Sequence, residues 1–193
     1  MENSFYSIDE LLNLGIAKIG KNVLISRKTS IYSPENINIG DNVRIDDFCI
    51  LSGTICIGNY IHIAAYSSLF AGNAGIIIED YSNISSRVSI YALSDDFSGD
   101  SMTNPMIPDI FKSVYQEKVI IRKNVIIGTG STVLPGVILN EGTAVGAMSL
   151  IKTSTEPWGI YAGIPANYKK QRSNRLLERL IEFEGNEKNG NNE

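Results

Sequence analysis

Few side chains in this 193-residue sequence can move a proton near neutral pH: one histidine and a short acidic run stand out. His62 lies in IGNYIHIAAYSS, and Asp95 and Asp96 lie in YALSDDFSG, with Asp100 just beyond. An imidazole oriented by a carboxylate is a general base. The bland alternatives are a surface histidine without chemistry and a Ser-Asp-Asp turn whose carboxylates bond their own backbone. Asn83 and Ser85 could donate to a developing oxyanion, or simply bond along a repeat's backbone ladder. Arg87 could meet a phosphate, against the default of a solvated charge. Tyr91, Phe97, Tyr115 and Trp158 could stack on a sugar ring or base, although aromatics flanking a loop more often anchor it. Two cysteines (Cys49 and Cys56) and one histidine give no ligand cluster, so no metal site is expected.

The element that must position these groups has a period of six. Between residues 121 and 151, aliphatic side chains stand at Ile121, Ile127, Val133, Leu139, Val145 and Ile151. Four residues after each comes a small or β-branched one: Val125, Ser131, Val137, Thr143, Ser149 and Thr155. A helix of 3.6 residues per turn would scatter these positions around its cylinder. A β-solenoid accommodates them: each hexapeptide forms a short flat wall and a corner, with the aliphatic residue inward and the small one filling the corner. Such coils bury their inner faces only by stacking on neighbours.

In chain order, Ser7-Ile8-Asp9-Glu10 reads as a capping box opening a short helix, with Gly15 as its stop, inside a lead-in of residues 1–18. The repeat domain spans 19–166. Its frame runs from Ile19 through Ile31, is interrupted at residues 34–38, resumes from Ile39 to Leu69, shifts near 73–77, and continues to Ile90. Residues 91–118 lack the period, and their aromatics and prolines favour an ordered arm, a loop of the kind that carries function. Residues 156–166 should close the open end of the stack. Leucines and isoleucine at 176, 177, 180 and 181 predict a C-terminal helix over 167–184, from about Tyr168 to Phe183. The polar stretch 185–193 reads as a disordered tail.

Composition fits one domain: 43% hydrophobic and 20% charged residues, with a net charge of -4 that argues against nucleic acid. No apolar run reaches the roughly 18 residues of a membrane span, and the N-terminus lacks a secretory layout, so a cytoplasmic protein with reduced thiols is expected. Cys49, at a corner position, is expected to pack inward.

The frame, the interrupting loop and the segment IGTGSTVLPGVILNEGTAVGAMSLI followed by WGIYAGIPA resemble the hexapeptide-repeat acyltransferases. They are most similar to the galactoside, maltose and polysaccharide-type acetyltransferases. The resemblance covers about residues 16 to 170. It implies an all-β fold, a left-handed parallel β-helix, assembled as a homotrimer with acetyl-CoA in the groove between subunits. Gly128, Ser131, Gly146, Ala147, Ser149 and Lys152 would face the pantetheine arm. Ala162, Gly163 and Pro165 would lie beside the adenine, with Lys169 or Lys170 near the phosphates. The acceptor would be a sugar, and a nucleotide-linked amino sugar in surface-polysaccharide synthesis is the leading expectation. A sugar hydroxyl, a drug-detoxifying activity and a non-catalytic scaffold are the alternatives. The loop histidine that serves galactoside-type relatives as base is missing from YALSDDFSG, which leaves His62, Asp95 and Asp96 as catalytic candidates. Asn83, Ser85, Arg87 and Tyr91 remain the substrate-binding ones.

Overall fold

The computed structural model describes residues 4–190. Helix α1, Ile8–Asn13, starts at the capping box: the Ser7 hydroxyl accepts from the Glu10 amide, and Glu10 accepts the Ser7 amide at 2.7 Å. From Lys18 the chain winds as a three-walled prism, each strand pairing in parallel with the strand one coil away. The first wall stacks seven parallel strands: Leu24–Ile25, Val43–Ile45, Ile61–Ile63, Asn83–Ile84, Ile126–Ile127, Ala144–Val145 and Gly159–Ala162. The second wall includes Ser30–Tyr32, Ser89–Tyr91, Thr132–Val133 and Leu150–Ile151; the third includes Ile37–Ile39, Val119–Ile121 and Ile138–Leu139. Two long strands, Ile50–Ile57 and Ser68–Ile78, run through the corner between the second and third walls. Gly53 and Gly72 turn there at φ 91° and 52°, and a Cβ on Gly53 would meet the Gly72 carbonyl at 2.5 Å.

The period of six holds as packing. Ile121, Ile127 and Val133 are fully buried along the axis, and Ser131, Thr143, Ser149 and Thr155 are buried at the corners. Burying each large aliphatic side chain contributes roughly 1.5–3 kcal/mol, so the axis carries the stability of the coil. Cys49 points inward as expected.

Two corners are columns of left-handed backbone. Between the third and first walls stand Asn22, Asn42, Tyr60, Tyr81, Asn124, Gly142 and Trp158, all at positive φ. Each from Asn42 on donates its N–H to a carbonyl of the coil before, as Tyr60 does to Asp41 and Trp158 to Glu141. Between the first and second walls stand Phe48, Tyr66, Arg87, Gly130 and Met148, built the same way.

Two expectations need correction. Residues Asn167–Gln171 are not helical: they form a strand antiparallel to Gly159–Ala162, because the last wall strand would otherwise present an unpaired edge. The helix, α2, spans Leu176–Gly190, so it starts later than predicted and extends through residues assigned to the tail; residues 191–193 lie outside the described ones. The chain between 171 and the helix straps onto the prism. Arg172 donates Nη1 to the carbonyls of Asn124 and Gly142, at 2.8 Å each, beneath the Trp158 ring. Further down the same column Phe183 meets the Tyr60 ring edge-on, and the Tyr81 hydroxyl donates to Glu184 at 2.9 Å.

Candidate active site

The inserted residues 91–118 form an ordered arm, as the sequence predicts. Leu93–Ser94 pairs antiparallel with Tyr115–Gln116, closing the arm at its base just off the second wall. Between arm and wall lies a cleft of about 750 Å³. Its floor is the outward side of the second wall, where Phe70 and Tyr91 stack with ring centroids 5.1 Å apart over Ser52. Its far side is the arm, through Asp95 and Phe97, and Leu134 closes it from the coil above. Apolar walls with one exposed carboxylate suit a small ligand carrying a single amine or hydroxyl.

Asp95 and Asp96 part company here. The Asp96 carboxylate accepts the backbone N–H of Ser98 and of Ser101, each at 2.8 Å. Hydrogen bonds from Ser98, with Ser101 adding, hold its carboxyl below the usual carboxylate range. Asp96 therefore shapes the arm, whereas Asp95 lines the cleft.

His62 lies on a flat wall. It is the middle residue of Ile61–Ile63 on the first wall, outward between two inward isoleucines, because wall residues alternate with a period of two. Its partner is not the loop: Nε2 lies 2.8 Å from Oδ2 of Asp46, whose other oxygen accepts Arg44 Nε at 2.7 Å. Partial burial raises the Asp46 pKa, but the hydrogen bonds from His62 and Arg44 outweigh it and hold the carboxyl below its ordinary value. Asn83 stands directly above His62 in register. Ser85 follows at the corner, where its amide bonds Ile127 and its carbonyl accepts the Ser67 hydroxyl.

Part of the expected coenzyme set stands along that first-to-second-wall corner, with Gly128, Ser131, Gly146, Ala147, Ser149 and Gly163, whereas Lys152 follows the second-wall strand Leu150–Ile151 and Lys170 sits on the edge strand Asn167–Gln171. Gly128 bonds Val145, Gly146 bonds Tyr161, and Leu150 bonds Gly163, carbonyl to amide through successive coils. The edge carries small residues, with Met148 the bulky exception at 64% exposed, so a long thin molecule can lie along it. Ser131 and Ser149 do not offer their hydroxyls outward. Both are buried and donate to the Gly146 carbonyl, at 3.0 and 2.7 Å. Ala147, Lys152, Gly163, Pro165 and Lys170 are exposed, with Ala162 half-buried beside them. The Ile164–Pro165 peptide is cis. Sequence reasoning missed Phe70 and Ser52 in the cleft, because their neighbourhood with Tyr91 exists only once coils of unequal length are stacked in register.

A hexapeptide prism with small-residue corners and a loop-covered cleft defines an acyltransferase class, and the comparisons agree. The chain belongs to the hexapeptide-repeat acyltransferases of left-handed β-helix fold, and it is an acyltransferase. A dTDP-4-amino-4,6-dideoxy-D-glucose acyltransferase of Escherichia coli is 49% identical over 172 residues, 88% of this chain and 89% of the relative. AntD, an N-acyltransferase from Bacillus cereus solved with dTDP and 3-hydroxybutyryl-CoA, has a TM-score of 0.95 at 51% identity, covering 97% of this chain and 100% of AntD. WbbJ of Escherichia coli K12, named for lipopolysaccharide O-acetyl transfer, is 30% identical over 151 residues, 74% of this chain and 72% of WbbJ. No family model matches the chain. AntD has also been solved as variants at one serine and at an aspartate ten positions after it, with coenzyme A and either dTDP or dTDP-4-amino-4,6-dideoxyglucose. Among the described residues no cluster could hold a metal ion, and no helix is long and apolar enough to cross a membrane.

Proposed function

We propose that this chain transfers an acyl group from coenzyme A to the 4-amino group of a dTDP-linked 4-amino-4,6-dideoxy sugar. The observation that carries this reading is near-complete coverage, at about half identity, of two proteins named for N-acylation or for that amino sugar. Acetyl is the simplest acyl group to expect, and AntD's 3-hydroxybutyryl-CoA complex makes a longer one the competing case.

The serine-to-aspartate spacing of ten in the AntD variants is met here twice, by Ser85 with Asp95 and by Ser86 with Asp96. The geometry favours the first pair. Asp96 is committed to arm amides, and Ser86 to Thr129, with Oγ atoms 3.0 Å apart. In the proposed reaction the neutral amine attacks the thioester carbon, forming the C–N bond. Asp95 accepts the amine's proton, and Ser85 with Asn83 stabilises the oxyanion. The C–S bond then breaks, the proton held by Asp95 passes to the departing sulfur, and coenzyme A leaves as the thiol.

Ser85 belongs to the corner at one edge of the second wall and Asp95 to the arm at its other edge. One copy therefore brings them together poorly, and a homotrimer, in which one copy's arm reaches its neighbour's coenzyme corner, supplies both. Apolar side chains exposed on the arm support this, with Phe97 93%, Met106 88% and Ile110 85% exposed. The similarity to WbbJ supports a setting in surface-polysaccharide synthesis, and a cytoplasmic location follows from where nucleotide sugars and coenzyme A thioesters are made.

The deciding experiment is calorimetric coenzyme A binding, followed by thiol release with dTDP-4-amino-4,6-dideoxyglucose and acetyl- or 3-hydroxybutyryl-CoA. Thiol release dependent on the amino sugar is expected. Coenzyme binding with turnover only on sugars lacking the amine would reassign the protein to O-acylation.

A further inference from the structure

Two arginines of this prism stack on aromatic rings at positive-φ corners, and their polar ends meet different fates. Arg172 lies 5.9 Å over Trp158, and its Nη1 is spent on two backbone carbonyls. Arg87 lies 5.6 Å over Tyr66 at the other corner and is exposed. Among the described residues no carboxylate lies within ion-pair distance of it, although Arg27, Arg44 and Arg122 each have an acidic partner.

Arg87 ends a continuous stack. Lys28 sits 5.2 Å over the Phe48 ring, Phe48 and Tyr66 stack at 4.9 Å, and Arg87 covers the far face of Tyr66. Both ring faces are taken, so the column is not a platform for a nucleobase. Lys28 is neutralised by Asp47 at 2.7 Å. What remains is one exposed guanidinium without a carboxylate partner among the described residues, resting over the Tyr66 ring. It stands two residues after Ser85 and directly beneath the Thr129–Gly130 turn, whose Gly130 amide bonds the Ser86 carbonyl. A planar fork held in advance suits bidentate recognition of a phosphate group, and the ring beneath it limits the rotamer entropy lost on binding. The chain's net charge of -4 makes such a local cation necessary for drawing in a dianion.

We infer that Arg87 binds the diphosphate of a nucleotide-linked acceptor, with Tyr66 as the positioning residue that aims it. The inference rests on the nucleotide-sugar reading above and deepens it: the acceptor lies along the lower part of the corner whose upper part takes the coenzyme.

The test is calorimetric titration of the intact protein with dTDP, thymidine and coenzyme A, in wild type and in Arg87→Gln, Arg87→Lys, Tyr66→Phe and Tyr66→Gly. Arg87→Gln should weaken dTDP on the order of 10- to 100-fold, leave coenzyme A unchanged, and abolish the preference for dTDP over thymidine. Arg87→Lys should restore only part of the loss. Tyr66→Phe should match wild type, while Tyr66→Gly, which removes the ring and relieves a residue at φ 64°, should weaken dTDP about 3- to 10-fold. Unchanged dTDP affinity in Arg87→Gln would overturn the inference and leave the nucleotide-sugar reading standing. Wild-type protein that binds coenzyme A but no dTDP would end both. A loss in Arg87→Gln without one in Tyr66→Gly would strip Tyr66 of its role.

Discussion

The carboxylate of Asp96 holds the amide of Ser101 at 2.8 Å, five residues along the arm, while the adjacent Asp95 faces the cleft. Asp96 is thus tied into the arm's backbone, and Asp95 is the proposed proton acceptor. Asp95→Asn should lower kcat on the order of 10²-fold with coenzyme affinity unchanged, since proton acceptance is removed but the arm is not. Asp96→Asn keeps one acceptor oxygen and should mainly raise the acceptor KM. Steady-state kinetics on both variants check this; equal kcat losses would mean the arm acts as a single unit.

His62 is bound into a pair with Asp46 on the first wall, away from the arm. His62→Ala should keep activity within about 3-fold while lowering stability by roughly 0.2–1 kcal/mol, the worth of a partly exposed hydrogen-bonded pair. The pH dependence has a fixed sign. Because the Asp46 carboxyl is held below its ordinary value, its contribution is present above the unfolded-chain pKa near ~3.9 and is lost as pH falls through the lower folded value. Acid unfolding of Asp46→Asn should therefore begin from a lower plateau and change less between pH ~5 and ~2. A loss of turnover on the order of 10²-fold in His62→Ala would restore the imidazole as base.

Burial pushes the Cys49 thiol up to about 11, while Cys56 is exposed on the third wall. At pH 8 the Cys49 thiolate is scarce and sealed in the core. Alkylation of native protein should modify one thiol, at Cys56, and denatured protein should react at both. Mass spectrometry after a timed pulse distinguishes these outcomes.

The strap at the C-terminal side makes a further measurable claim. Arg172→Ala leaves the carbonyls of Asn124 and Gly142 without their donor, which costs about 1–3 kcal/mol, or a midpoint lower by several degrees. An unchanged melting curve would show that the strap rests on Phe183 and Glu184 instead.

The prism was legible in the sequence because its inward residues repeat locally: Ile121, Ile127 and Val133 declare the axis without knowledge of any neighbour. Residues 167–171 gave no strand signal because Asn167–Gln171 carries a single apolar residue, Tyr168, beside the leucines that follow, and because only the folded last wall has an edge to pair. The partner of His62 was hidden for a different reason. Asp46 is 16 residues back, and whether that is one coil depends on where each corner adds a residue. The column Phe48, Tyr66, Arg87 was equally hidden, since its members are 18 and 21 positions apart. Positive φ at each, a second signal, exists only in the coordinates.

The arm leaves the second wall after Tyr91 and rejoins the third at Val119, and its base is a two-stranded hairpin outside the coil. The coil frame does not register its length: Ser89–Tyr91 pairs with Ser68–Phe70 and Val119–Ile121 with Ile76–Ile78 whatever lies between. The arm is thereby an exchangeable cassette: its length and sequence can be rewritten without shifting the coils on either side or unwinding the rod that carries it.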